Sequence, residues 1–340
     1  MMKLKYLLLG LLLCGGVLTS SAREFPLCVY GVLKPQDISV AKKAGFTCVQ
    51  TYTREPETLT QLAKAATKAG VKTVFYSSLV LGSAYEKEAA SWPMLAWYIV
   101  DEPDVAKWSR ERVQELERKT KNTWPQHPTG LVIGQGRTRI PYYDLTDVMM
   151  MDWYPVPHLE LTSFGDNVRW TKQGMNAYHT GDRPLWPVVQ LFDWKEFKQH
   201  RPDNDRIGRF PTEDELRFMS FDAVANGATG LFYFYFYHYE KPLAQAQPEF
   251  WNRAKAVLKE LNKFRPVLEN GQFLGQAANV KDPLVLQAWK YKGHTYYLLL
   301  NRSAHEQPAP AELLAKKYKA FSQMKKTSQI APYGVWILKR

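Results

Sequence analysis

Apolar runs of strand length recur along this chain, with stretches of helical periodicity between most of them. The runs fall at residues 26–33, 47–53, 72–78, 96–100, 130–134, 147–154, 185–192 and 229–237, which predicts eight strands. Helices are expected over 35–44, 56–69, 108–122, 164–179, 213–226 and 248–263. The connections after the third and fifth strands are too short to assign. One helix start is well marked, because Thr212 precedes Glu213, Asp214 and Glu215, a cap followed by acids that suit a helix N-terminus. Near-continuous apolar stretches such as Val148 to Met151 suit parallel strands buried on both faces.

Eight strands alternating with helices over roughly 245 residues match the (β/α)8 TIM barrel in strand count and size. An open doubly wound sheet is the rival. It lacks its usual marks, since neither GxGxxG nor GxxxxGK[ST] follows an early strand. From Gly271 the pattern changes to short alternating or apolar strands at 285–289, 295–301 and 335–339. The expected organisation is a signal peptide at 1–22, a catalytic-type barrel at 23–270 and a small β-sandwich-like domain at 271–340.

The first segment carries Lys3 and Lys5, an apolar run over 6–13, and Ser20, Ser21 and Ala22, the layout of a secretory signal cleaved after Ala22. A lipoprotein signal is the less favoured reading, because Cys14 follows Leu13 where a small residue is usual. No second apolar stretch approaches ~20 residues, so a secreted or periplasmic protein is expected. Cys28 and Cys48 fall in neighbouring predicted strands. An oxidising compartment would permit a disulfide, but two small buried free thiols are the preferred expectation.

Composition adds one point. The 340 residues carry a net charge of +12, and from Gly271 onward 11 basic residues face 3 acidic ones. The basic excess therefore belongs to the β-module, where Lys316, Lys317, Lys319, Lys325 and Lys326 cluster, and it argues little for nucleic acid. An anionic envelope surface is the partner such a cluster would fit; a solvated face is the plainer alternative.

In a (β/α)8 barrel the chemistry belongs to the C-terminal ends of the strands. Here those ends place carboxylates beside aromatics: Asp101 and Glu102 after strand four, Asp152, Trp153 and Tyr154 after strand six, Gln190, Asp193 and Trp194 around strand seven, and Tyr237 after strand eight. Tyr30, Tyr52 and Tyr76 sit toward the ends of strands one to three and are expected to line the same mouth. Sugar chemistry asks for this combination, a carboxylic acid to protonate the glycosidic oxygen, a second carboxylate, and aromatic faces for pyranose C–H surfaces. The seven histidines form no HxH or HExxH pattern, no GxSxG is present, and no metal or cofactor is implied.

At Trp97-Tyr98-Ile99-Val100-Asp101-Glu102-Pro103, at Met151-Asp152-Trp153-Tyr154-Pro155 and at 215–230 leading into strand eight, the chain resembles the TIM-barrel glycoside hydrolases, particularly the clan with an acid/base glutamate after strand four. The resemblance implies a glycosidase acting on a poly- or oligosaccharide, with Glu102 as acid and Asp152 or Asp193 as its partner. Their place at the strand ends makes Asp101, Tyr30, Tyr76, Trp153, Tyr154, Gln190, Trp194 and Tyr237 the expected sugar contacts. Two departures stand out. Asp101 replaces the Asn usual before that glutamate, and strand seven supplies no Glu. The second departure keeps a non-catalytic carbohydrate-binding or assembly protein open as the alternative.

Overall fold

The computed structural model describes residues 24–138, 141–200, 208–277, 280–321 and 325–340, so the signal-peptide expectation lies outside the described residues. Eight parallel strands close into a barrel in sequence order: β1 (Leu27–Val29), β2 (Cys48–Gln50), β3 (Lys72–Tyr76), β4 (Met94–Asp101), β5 (Thr129–Ile133), β6 (Val148–Asp152), β7 (Leu185–Gln190) and β8 (Leu231–Phe234), with β8 pairing back to β1. The surrounding helices are α1 (Asp37–Ala44), α2 (Pro56–Ala69), α3 (Glu86–Ala89), α4 (Arg110–Thr123), α5 (Ser163–Ala177), α6 (Glu213–Ala225), α7 (Leu243–Ala246) and α8 (Pro248–Asn270). A short ribbon, β9 (Tyr237–His238) with β10 (Lys241–Pro242), follows β8.

Alternation along the strands sorts side chains into two cores. Cys28, Val74, Tyr98, Val132, Met150, Val188 and Phe232 fill the barrel interior, whereas Val29, Phe75, Trp97, Leu131, Met149 and Val189 point outward to the helices. Cys28 and Cys48 face each other in register across β1 and β2, with Cα atoms 4.5 Å apart, and are joined as a disulfide. The free-thiol expectation is thus corrected: direct pairing on adjacent strands brings the two sulfurs together inside the barrel. Thr212 starts α6 with a full capping box, its hydroxyl accepting from Glu215 N while Glu215 reciprocates to Thr212 N. A bidentate pair with Arg209 holds Glu215 in place.

After α8 the chain enters a five-stranded antiparallel sheet ordered β11 (Gln272–Gln276), β12 (Leu284–Tyr291), β13 (His294–Asn301), β17 (Val335–Lys339) and β15 (Lys319–Ala320). A small ribbon of β14 (Gln307–Pro308) and β16 (Gln329–Ile330) accompanies it. One face of the sheet, with Trp289, Leu298, Leu300 and Ile337, joins the same core as Phe264 of α8 and Phe221 of α6. The other face, with Leu286, Leu299, Trp336 and Leu338, lies under Leu313, Tyr318 and Ile330. Arg302 ties the module down, reaching Asp222 of α6 and Asp166 of α5, each at 2.9 Å. Arg217 of α6 pairs with Glu260 of α8 and donates to the Val335 carbonyl.

Candidate active site

Strand β4 delivers the central residues, and its backbone shows how. The register between β4 and β5 shifts between Tyr98 and Asp101, and this irregularity re-aims the end of the strand. Glu102 then takes a φ of 42°, a left-handed conformation that is uncommon for a residue with a side chain. Its amide donates to the Val132 carbonyl at 3.0 Å, and its own carbonyl accepts from Val105 and Ala106, so the chain turns sharply there. Asp101 and Glu102 consequently both line one cavity at the barrel mouth, although neighbours on a regular strand would face opposite ways.

The cavity holds about 430 Å³, and Asp152 from the end of β6 also lines it. Asp152 is only 9% exposed. Its Oδ2 accepts from the Tyr154 hydroxyl at 3.0 Å. Among the described residues Oδ1 is buried and meets no donor, yet the Asp152 carboxyl lies within hydrogen-bonding reach of the Glu102 carboxyl. Two buried carboxyls set side by side favour one proton between them over two charges. Burial first, then the Glu102 and Asp101 charges, push the Asp152 carboxyl well above the usual carboxylate range.

Asp101 occupies the β3 side of Glu102 and is treated differently. Its Oδ1 accepts from the Tyr98 hydroxyl at 2.7 Å, and Tyr76 donates to the same carboxyl. Tyr30 donates onward to Tyr98 at 3.2 Å. Burial raises the Asp101 carboxyl from its ordinary value while the two phenols pull it back down. Burial also raises the hydroxyls of Tyr30, Tyr98 and Tyr154, which keeps them as donors.

An apolar wall completes the cavity. Trp153, Tyr154 and Trp194 stand in it with Phe192, Phe197 and Phe234, and Tyr154 packs against Phe192 and Phe234 with ring centroids 5.0 and 5.7 Å apart. The Trp153 indole is fixed by donating to Ser163 Oγ at 2.9 Å. Gly134, after β5, is where a side chain would collide: a Cβ there would sit 3.0 Å from Glu102 Oε1 and 2.8 Å from Val105 Cγ2. Among the described residues no group of three His, Cys, Asp or Glu side chains is arranged to hold a metal ion.

Of the residues expected at the site, Glu102, Asp101, Asp152, Tyr30, Trp153, Tyr154 and Trp194 line the cavity, and Tyr76 reaches it through Asp101. Three expectations are corrected. Asp193 accepts from the Lys195 amide at 2.8 Å, closing a turn beyond β7, and does not line the cavity. Gln190 is fully buried and spends its amide on the Val156 amide and the Val156 and Phe192 carbonyls, which clamps the loop after β6. Tyr237 is buried with its hydroxyl on Asp37 of α1, on the helix side of the barrel wall. Tyr52, expected toward the mouth, lines it too; Phe192, Phe197 and Phe234 lie outside the expected set, although Phe234 continues the inward-facing alternation of β8 and was open to that argument.

No family model matches the chain, and no curated protein is significantly similar to it in sequence. Solved structures are similar in shape: Amy13B of Eubacterium rectale (TM-score 0.62, 9% identity, 94% of this chain and 96% of that one) and a glycoside hydrolase family 5 protein from Bacteroides vulgatus (0.58, 15%, 93% and 89%). An alpha-amylase from Geobacillus thermoleovorans gives 0.57 at 10% identity, over 94% of this chain and 98% of that one. The fold is shared with glycosidase barrels. At these identities the likeness carries the architecture, a (β/α)8 barrel followed by an all-β module, and the chemistry has to be argued from the cavity itself.

Proposed function

We propose that this protein hydrolyses glycosidic bonds of an oligo- or polysaccharide in the mouth of its barrel. The observation that carries the reading is the gathering of the Glu102, Asp152 and Asp101 carboxyls in one aromatic-walled cavity, where burial and the Glu102 charge hold the Asp152 carboxyl up. A buried carboxyl pair holds a proton at pH values where a free carboxyl has lost its own, and that is what a general acid for a glycosidic oxygen requires. Glu102, at the strand exit, is the donor. Asp152, anchored by Tyr154, keeps the proton available.

This pairing assigns Asp152 to the acid. Asp101 is then the carboxylate left to meet positive charge developing on the sugar ring, since it faces the cavity and two phenols favour its charged form. As the bond to the leaving oxygen breaks, the Glu102 proton passes to that oxygen. Water adds at the anomeric carbon and returns a proton to the pair. Trp153, Tyr154 and Trp194 supply faces for the C–H surfaces of the pyranose.

The Cys28–Cys48 disulfide supports an oxidising compartment and fits the export reading of the N-terminus. The test is release of reducing ends from a panel of plant and bacterial polysaccharides by the wild type and Glu102→Gln. The expected outcome is turnover by the wild type and a loss of about 10²–10⁴-fold in the variant. Equal turnover would remove Glu102 from the acid role, and binding without turnover would make this a carbohydrate-binding barrel.

A further inference from the structure

The charge of the cavity is one-sided. Its described lining brings Asp101, Glu102 and Asp152 together and includes no Lys, Arg or His. Arg54 acts on Tyr76 from an exposed position and is not part of the lining. With one proton shared between Glu102 and Asp152, two negative charges remain among buried aromatic rings, where charge interactions are weakly screened. An anionic sugar would meet like charge there and, among the described lining residues, no guanidinium or ammonium to receive it.

We propose that the sugar unit taken by this cavity is a cationic amino sugar, a hexosamine with a free ammonium group. The inference rests on the sugar-binding reading of the same mouth and names its substrate class. Asp101 is the receiving group. A carboxylate offers about four lone-pair sites, the Tyr98 and Tyr76 hydroxyls take two donors' worth, and the side chain still lines the cavity. The ammonium brings only donors, which suits the three carboxyls of the lining, and aromatic faces favour a cation in addition. A neutral sugar keeps the aromatic contacts and lacks the ion pair. A uronic, sulfated or phosphorylated sugar is rejected.

The test uses the full chain and methyl glycosides of four kinds, in both the gluco and galacto series: 2-amino, 2-acetamido, neutral and uronic. Binding is measured by titration calorimetry at pH 6 in low salt, and the 4-nitrophenyl counterparts report hydrolysis. The amino sugar is expected to bind about tenfold tighter than its neutral partner in at least one series. That advantage should shrink in 0.5 M NaCl, and Asp101→Asn should bring the ratio to about one. Equal or tighter binding of the neutral, acetylated or uronic sugar overturns the inference, and so does failure of every sugar to bind. Hydrolysis of a neutral or acetylated glycoside with no amino preference overturns it while sustaining the hydrolase reading. Selective binding of the amino sugar without nitrophenol release sustains the inference and removes hydrolysis. The wild-type series decides even where Asp101→Asn fails to fold.

Discussion

Glu102 combines a left-handed backbone with a carboxyl placed against a second one, and both features cost stability that a purely structural residue would not require. Glu102→Gln should therefore keep or slightly raise the melting temperature while activity falls, which a thermal scan beside the assay would check. For Asp152→Asn the expectation concerns pH. Asp152 is raised by burial and then by Glu102 and Asp101, so the pair titrates as a unit above the ordinary carboxylate range. Replacing one member removes the like charge, and the alkaline limb of the pH–rate profile should move acidward by about one unit or more. A limb that stays in place would separate Asp152 from the acid. Gly134→Ala should lower kcat by about tenfold with little change in stability, because its Cβ would crowd Glu102 and the partly exposed Val105.

At the scale of elements, the alternation of each strand explains what was legible. In β6 the inward set runs Val148, Met150 and then Asp152, so a carboxylate two residues past an interior position was bound to reach the mouth. The same rule places Phe234 in the cavity after Phe232; Tyr237 lies past the end of β8, where the alternation no longer applies, and its hydroxyl goes to Asp37. Gln190 obeys the rule yet serves the backbone, and no pattern in the chain announces that the Val156 amide and carbonyl need its amide. Asp101 and Glu102 were found through the motif around them. Their shared orientation was not legible, because it depends on a register shift and one positive φ. Between elements, Arg302 is the clearest target. Arg302→Leu would strand Asp222, fully buried and already pushed up to about 6 by burial, together with Asp166. Its removal should destabilise by about 3 kcal/mol. An acid with a raised folded pKa loses stability as pH climbs above its unfolded value, so the deficit should be larger at pH 8 than at pH 5 in denaturant titrations.

For the whole molecule, the shared core makes barrel and module interdependent. Leu298, Leu300 and Ile337 bury their side chains against the same cluster as α6 and α8. Each such side chain contributes about 1.5–3 kcal/mol when buried. Deleting 271–340 should yield an insoluble or molten barrel, which solubility and near-ultraviolet circular dichroism would reveal. Charge is divided across this junction, with the basic excess in the module and the carboxyls in the mouth. Lys326 is already committed, donating to the Leu313, Leu314, Ala315 and Tyr318 carbonyls, so the lysine cluster is partly a structural device.

The proton shared by Glu102 and Asp152 is the centre of this account, and carbon-13 NMR titration of the side-chain carboxyls, assigned through Glu102→Gln and Asp152→Asn, measures it directly. Two mouth carboxyls are expected to titrate together, with one proton retained well above the usual carboxylate range. Independent titration of both near the ordinary values of about 4 would contradict it.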